Sequence, residues 1–594
     1  MRHLQDLNVL VLGLGESGLA MAAWAARCGA SVRVWDSRET PPRAAELSEQ
    51  VPSATRLHGD LNDDSLTGVQ LVLKSPGLAP GDARIAPLLA QAHASGIPVQ
   101  GELDLFVQAL ADLKAQRRYA PAVLAITGTN GKTTTTAMTA QMIERTGRRV
   151  AVAGNIGPTM LATLARALDL EPLPVEEPAV AALEQDLAPE LDADEALEPM
   201  AADVEAQGPD DEPTELPVEA VAADGISLEA VDALLDEAPL PIKPPPPKPP
   251  VFEFLPEVWV LELSSFQLDG VSGFEPTAAA ILNITQDHLD WHGSMDAYIV
   301  AKSRVFGTQG VMVINRDEPK VEALVPAPIM VKGGRGRPAR AVSRKVARFG
   351  LDAPGRPGDF GLVVENGMAW LVRAMEADET IKRQKRGKDD EEEDIIIQRL
   401  MPADALRVRG RHNVSNALAA LALACAAGCP LGPMLHGLRE YRGEPHRVAY
   451  VSSIDGVDAF DDSKGTNVGA TVAALNGLGQ DRSPAKIVVI LGGDGKGQDF
   501  HPLSGPVSRH ARAVALIGRD AALIEATLNE AGVPMQRFDA LPAATAWAFA
   551  QALSGDCVLL SPACASLDMF RNYAHRAEVF VEAVQALANE RGLA

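Results

Sequence analysis

The run AVLAITGTNGKTTTT over 122–136 places an apolar, β-branched stretch before a glycine turn and a helix-forming segment. Strand, glycine loop and helix in that order build an anion site. Backbone N–H groups close around a phosphate, and the helix N-terminus favours negative charge. Gly128, Thr129, Asn130, Gly131, Lys132, Thr133 and Thr134 form the expected cradle for a nucleoside triphosphate, with Lys132 reaching the terminal phosphates and the Thr133 hydroxyl suited to Mg²⁺. The usual pattern has one more glycine, at the position held here by Ile126.

Further along, Trp259-Val-Leu-Glu262 ends an apolar strand in a carboxylate. A buried carboxylate is costly unless it meets a cation, so Glu262 is a natural Mg²⁺ ligand. The stretch from Ala280 to Asp290 (AILNITQDHLD) is again a strand ending in polar residues and includes His288; Lys302 lies on a helix that starts near Ser294. Near the N-terminus, Gly13-Leu-Gly-Glu-Ser-Gly18 follows a strand, and Asp36 closes the next one. This fits a dinucleotide fingerprint. Taken alone it suits a nicotinamide-dependent oxidoreductase, but that reading leaves Lys132 and Glu262 idle. Ser75-Pro-Gly77 adds a glycine turn at another strand end.

These residues need α/β layers to hold them. Strands and helices alternate outside two inserts, which predicts three α/β domains: a Rossmann-like domain over 1–118, a central P-loop ATPase-type parallel-sheet domain over 119–440, and a C-terminal Rossmann-like domain over 441–594. The first insert, 171–250, is acidic and ends in a polyproline stretch, a composition that predicts disorder. Its segment 171–240 carries 22 acidic residues and no basic ones, and removing them from the net charge of −25 leaves −3. The acidity therefore belongs to the insert and argues against nucleic acid as its partner. A docking arm on a non-catalytic nucleotide-binding scaffold is the competing reading of the insert. A second insert, over 376–394, reads as a charged surface loop. The chain lacks an apolar run of membrane-spanning length and a signal-peptide pattern, so a cytoplasmic protein is expected. The five cysteines lack zinc-knuckle spacing and read as reduced thiols.

The order of motifs is specific. Thr127–Thr133, the Glu262 strand, Asp287-His288-Leu-Asp290, Lys302, Gly410-Arg-His-Asn413 with Asn416, His446-Arg447 and Asp462-Ser-Lys-Gly-Thr-Asn467 follow one another as in the Mur ligases, and the chain resembles that family throughout except in its inserts. ELSSFQL over 262–268, GGDGKGQDF over 492–500 and SPACASLDMF over 561–570 resemble the branch that adds D-glutamate. Ligases adding another amino acid, including the folylpolyglutamate type, are the alternatives.

The resemblance implies ATP-dependent amide formation through an acyl phosphate in peptidoglycan precursor synthesis, by a monomer that uses ATP and Mg²⁺. It implies Lys132, Glu262, His288 and Lys302 as catalytic residues. Thr133, Glu262, His288 and a carbamylated Lys302 are the implied metal ligands. Asn413, Asn416, Arg447 and Asp462 complete the ATP site. The fingerprint then holds uridine diphosphate, through Gly15, Glu16, Ser17, Asp36, Ser37, Arg38 and Gly77, with Asn155 on the muramoyl portion. Glu16 must turn its side chain away from the diphosphate. Lys464, Thr466, Lys496, Ser566, Leu567 and Tyr573 are the implied D-glutamate set, although the family usually has Phe where Tyr573 stands. Hinge closure near 440 is expected, to bring the third block to Lys132.

Overall fold

The computed structural model describes residues 3–172, 250–331, 340–377, 395–408 and 410–592. The expectations of a disordered acidic insert and of a charged loop fall almost wholly outside these residues. The three large sheets and a two-stranded one, Ile329–Val331 with Arg340–Val342, belong to one compact unit, formed by residues 1–171 with 252–594. Among the described residues the architecture is α/β.

The first sheet has five parallel strands in the order Thr55–Leu57, Ser31–Trp35, Asn8–Leu12, Leu71–Lys74 and Val99–Gln100. The central sheet has nine. Its parallel part runs Val150–Gly154, Val258–Glu262, Ala122–Thr127, Ala278–Ile281, Val311–Asn315, Val346–Phe349 and Phe360–Glu365. Such strands are apolar almost continuously because helices cover both faces, and VWVLE over 258–262 is buried at every position.

The parallel central sheet continues at its far edge into an antiparallel part. Met368–Glu376 and Ile395–Pro402 add an antiparallel meander beside Phe360–Glu365. The turn into it is Asn366-Gly367, both at positive φ (51° and 78°). That pair favours the tight turn whose twist matches a hairpin.

The third sheet runs Ala449–Ile454, Val457–Asp461, Cys557–Leu560, Ile487–Gly492, Ala511–Ile517 and Met535–Phe538, parallel apart from its first pair.

Helix Glu102–Arg117 welds the first two sheets together. Phe106 meets Trp259 edge-on at 4.9 Å, in a core that also takes Val9, Val11 and Leu261. Trp259 Nε1 donates to the Tyr119 hydroxyl (2.9 Å), which donates to the Pro256 carbonyl (2.6 Å). Truncating a buried aromatic such as Phe106 costs about 3–5 kcal/mol. The junction therefore holds the first sheet, with its Gly13–Gly18 turn, firmly against the central sheet. Thr127, Glu262 and Ile281 all end strands at the same edge of the central sheet, the edge where open α/β sheets bind ligands.

Candidate active site

The phosphate loop lies between Ala122–Thr127 and helix Lys132–Glu144, with Gly131 as the N-terminal cap at φ 83°. Only glycine fits there, because a Cβ would also approach Asn416 Oδ1 to 2.6 Å. The next strand's end braces the loop. Asn130 N–H donates to Asn283 Oδ1 (2.8 Å), Asn283 Nδ2 donates to Asn130 O (3.1 Å), and Thr129 Oγ1 donates to Thr285 O (3.1 Å).

Lys132 Nζ curls back onto the carbonyls of Gly128 (2.9 Å) and Thr129 (2.8 Å). Lys302, 1% exposed, donates to the same Gly128 carbonyl (2.9 Å) and to Thr127 Oγ1 (3.2 Å). Burial pushes both amines below the usual lysine range; Lys302 falls well below it, with the charge of Lys132 adding to the effect. The two amines thus converge on one carbonyl of the loop.

Glu262 is 1% exposed, and its Oε1 accepts from Asn155 Nδ2 (2.9 Å). Glu262 and Thr133 line one cavity of about 950 Å³. His288 sits at φ 52°, edge-on to Phe266 at 4.7 Å, with its Nε2 3.5 Å from Asp287 Oδ2. Burial lowers its pKa, and Lys496 and Lys132 push the same way against Asp287. Lys496, in the turn that follows strand Ile487–Gly492, is thus within electrostatic reach of His288.

Two further links tie the third block to the phosphate loop. Arg447 Nη2 donates to Thr133 Oγ1 (2.7 Å), and Asn467 Nδ2 donates to Asn130 Oδ1 (2.9 Å). Asn416 Nδ2 donates to Asn413 Oδ1 at 3.3 Å beside Gly131. Asp462 accepts from Ser561 Oγ (2.6 Å), and burial pushes its carboxyl up to about 7. One of its carboxylate oxygens therefore serves the third block itself.

Gly15, Glu16, Ser17, Asp36, Ser37, Arg38 and Gly77 come together around a cleft of about 570 Å³. Gly18 lets helix Glu16–Arg27 start there, since a Cβ on it would lie 1.9 Å from Gly13 O. Asp36 Oδ2 accepts the Leu14 N–H (2.7 Å), and the two Asp36 oxygens take Arg38 Nε and Nη2, each at 2.8 Å. Burial alone would raise the Asp36 carboxyl, but these hydrogen bonds outweigh it and hold the group at about 2. The Glu16 carboxylate pairs with Arg43 at 2.7 Å. Asn155 is not in this cleft; it lies on Glu262.

In the third block, Lys464 Nζ sits 3.9 Å over the Tyr573 ring. Paired backbone bonds between Asp494 and Ala565 (3.0 and 2.9 Å) set the Lys496 turn beside Ser566. Ser566 is buried, whereas the Leu567 side chain is 73% exposed. Thr466 follows Lys464 in the same loop, its N–H on the Lys464 carbonyl (2.9 Å).

Sequence reasoning missed three members of this arrangement. Arg84 reaches the first cleft and donates to Ser37 Oγ (2.8 Å), yet nothing in GLAPGDAR marks it. Asn467 stood inside a quoted motif, and its asparagine-to-asparagine reach needed coordinates. Arg576 is a lone arginine in a helical segment.

A family model described as the Mur ligase MurD-like N-terminal domain matches residues 7–101. The Mur ligase middle domain matches 126–185 and 253–331, and the Mur ligase glutamate ligase domain matches 446–564. The UDP-N-acetylmuramoylalanine–D-glutamate ligase of Albidiferax ferrireducens is 52% identical over 596 residues, spanning 100% of this chain and 99% of that protein. This chain belongs to the Mur ligase family. A second relative of the same name, from Polaromonas sp., is 45% identical with full coverage of both chains. Among solved structures, the Mur ligase UDP-N-acetylmuramate-alanine ligase of Thermotoga maritima aligns over 98% of this chain and 100% of that one, at 18% identity and a TM-score of 0.48.

The donor set fits a hard cation. Among the described residues no three His, Cys, Asp or Glu side chains converge as a metal cage. Mg²⁺ does not need one, because it keeps several waters and takes one or two carboxylates plus substrate phosphates. Glu262 and Thr133 on one cavity offer that kind of incomplete shell.

Proposed function

We propose that this chain is an ATP-dependent ligase that joins D-glutamate to UDP-N-acetylmuramoyl-L-alanine in peptidoglycan precursor synthesis, as a cytoplasmic monomer. The observation that carries the reading is the reach of Arg447 to Thr133, which brings the third block onto the phosphate loop. The named relatives support the choice of amino acid. Among the described residues no helix is long and apolar enough to cross a membrane. The chain divides into a Rossmann-like domain over 1–118, a central ATP-binding domain over 119–440 and an amino-acid-binding domain over 441–594.

A carboxylate is a poor acyl donor. Transfer of the terminal phosphoryl group of ATP to the alanyl carboxylate makes an acyl phosphate. The amine of D-glutamate then attacks its carbonyl carbon, and phosphate leaves. Lys132, Arg447 and the amides of Gly128–Thr134 hold the triphosphate and meet the charge that spreads over the transferred group. Asn413, Asn416 and Asp462 take the rest of the nucleotide. Thr133, Glu262 and His288 would hold Mg²⁺, which supplies charge neutralisation on the phosphates.

Lys302 has a further use. An amine pushed toward its neutral form by burial reacts with carbon dioxide, and the carbamate formed is an anionic oxygen ligand. Gly15, Ser17, Asp36, Ser37, Arg38 and Gly77 bind the uridine diphosphate, with the Glu16 backbone, while Asn155 faces the muramoyl end. Lys464, Thr466, Lys496, Ser566, the Leu567 amide and Tyr573 receive D-glutamate.

The test is phosphate release from ATP in the presence of UDP-N-acetylmuramoyl-L-alanine, with D-glutamate, L-glutamate, glycine or a diamino acid added in turn. Release that depends on D-glutamate is expected. Release with a different amino acid would keep the ligase and overturn the pocket assignment.

A further inference from the structure

Helix Tyr573–Glu590 opens with Asn572 as its cap, accepting from His575 N–H at 2.8 Å. One turn in, Arg576 is 0% exposed. Among the described residues no carboxylate comes within ion-pair distance of it; Asp568, Asp461 and Asp462 act on it only through space. Its guanidinium is spent on main-chain carbonyls. Nη1 and Nη2 both donate to Cys564 O (3.2 Å each), and Nη2 also donates to Ser463 O (2.9 Å). Nε finds no acceptor. A buried guanidinium with no partner charge and an unmet donor is expensive to keep. A helix that needed only an apolar anchor here would be better served by methionine or leucine.

The two carbonyls explain the arginine. Ser463 immediately precedes Lys464, and Thr466 follows in the same loop. Cys564 lies two residues before Ser566 and three before Leu567. Tyr573, beneath Lys464, is one turn before Arg576 on the same helix. One planar fork therefore spans the two loops and anchors the helix that carries the third wall. A guanidinium can hold two carbonyls at fixed separation, which an ammonium on a flexible stem does poorly.

We infer that Arg576 is a positioning residue for the amino-acid pocket: it fixes the spacing between the Lys464 and Ser566 loops and stands as a buried positive charge behind a pocket for an amino acid with two carboxylates. The inference rests on the reading of the third block as the D-glutamate site. It assigns Arg576 no contact with the substrate.

The test uses the full-length chain, with Arg576→Met and Arg576→Lys compared by steady-state kinetics in each of the three substrates. The KM for D-glutamate is expected to rise about tenfold or more in Arg576→Met and by a smaller factor in Arg576→Lys. The KM values for ATP and the UDP-linked substrate should stay within about twofold. A residue that only stabilised the fold would lower the melting temperature and leave the D-glutamate KM with the others. That pattern overturns the inference, as does a uniform rise in all three KM values. If Arg576→Met does not fold, Arg576→Lys decides; if neither folds, Arg576 is a fold staple and the inference fails. Wild-type chain inactive with D-glutamate would instead sink the reading of the pocket itself.

Discussion

Glu102 offers a sharp test of the junction between the first two sheets. It is the first residue of helix Glu102–Arg117 and is 2% exposed. Its Oε1 accepts the Leu161 N–H (3.1 Å) at the start of helix Met160–Leu170, while Oε2 has no partner. Burial raises its carboxyl from 4.5 to about 7, with the Leu161 N–H, the Ser17 hydroxyl and the Met160 N–H pulling back only part of the rise. Between those values the folded protein keeps a proton that the unfolded chain has lost. Stability must therefore fall as pH climbs through that window, and the whole cost is present above pH 7. The rise corresponds to ~3 kcal/mol. Glu102→Gln keeps an acceptor for Leu161 and cannot ionise. The variant should match wild type near pH 4.5 and exceed it at pH 8 by up to ~3 kcal/mol, roughly 5–10 °C in the melting of a domain-sized unit. Scanning calorimetry of both proteins from pH 4.5 to 8 reads the difference, in which every other titrating group cancels. A gap that does not change with pH, or a variant less stable at pH 8, would refute the reasoning.

Three other outcomes follow from the site. Lys132→Met should lower kcat for phosphate release about 10²–10³-fold, the usual loss for one donor to developing charge; a fall under threefold would remove Lys132 from the phosphoryl path. Arg84→Ala should raise the KM for the UDP-linked substrate roughly tenfold, through loss of one charge-assisted contact, and leave the D-glutamate KM alone; equal movement of both would contradict its place in the first cleft. Replacing residues 173–249 by a short Gly/Ser linker should leave turnover within about twofold. The cut spares Glu171, whose carboxylate takes the N–H groups of Glu253, Phe254 and Leu255 at 2.7–2.8 Å. Collapse of turnover in a still-folded protein would show that the insert takes part.

The phosphate loop was legible because strand, glycine turn and lysine are contiguous, so local chemistry sufficed. The Gly13–Gly18 turn was legible for the same reason, as were the apolar runs of the parallel strands. The antiparallel edge of the central sheet was not, although Asn366-Gly367 is a hairpin signal: MAWLVRAME over 368–376 alternates only loosely. Asn155 reads as a ligand contact in sequence, and its bond to Glu262 depends on two strand ends meeting. Asp462 shows the same limit, since Ser561 reaches it from far along the chain. Arg84, Glu102 and Arg576 carry no local mark. Their roles arise from burial and from contacts between segments distant in sequence, which spacing rules do not reach.

The central claim is amide formation through an acyl phosphate with D-glutamate as acceptor. The direct measurement labels the alanyl carboxylate of UDP-N-acetylmuramoyl-L-alanine with ¹⁸O and follows the label by mass spectrometry during turnover with ATP, Mg²⁺ and D-glutamate. The account predicts one ¹⁸O in each phosphate released and one retained in an amide product heavier by a glutamyl residue. Unlabelled phosphate accompanying that product would contradict the acyl phosphate, and label transfer that proceeds only with another amino acid would contradict the D-glutamate site.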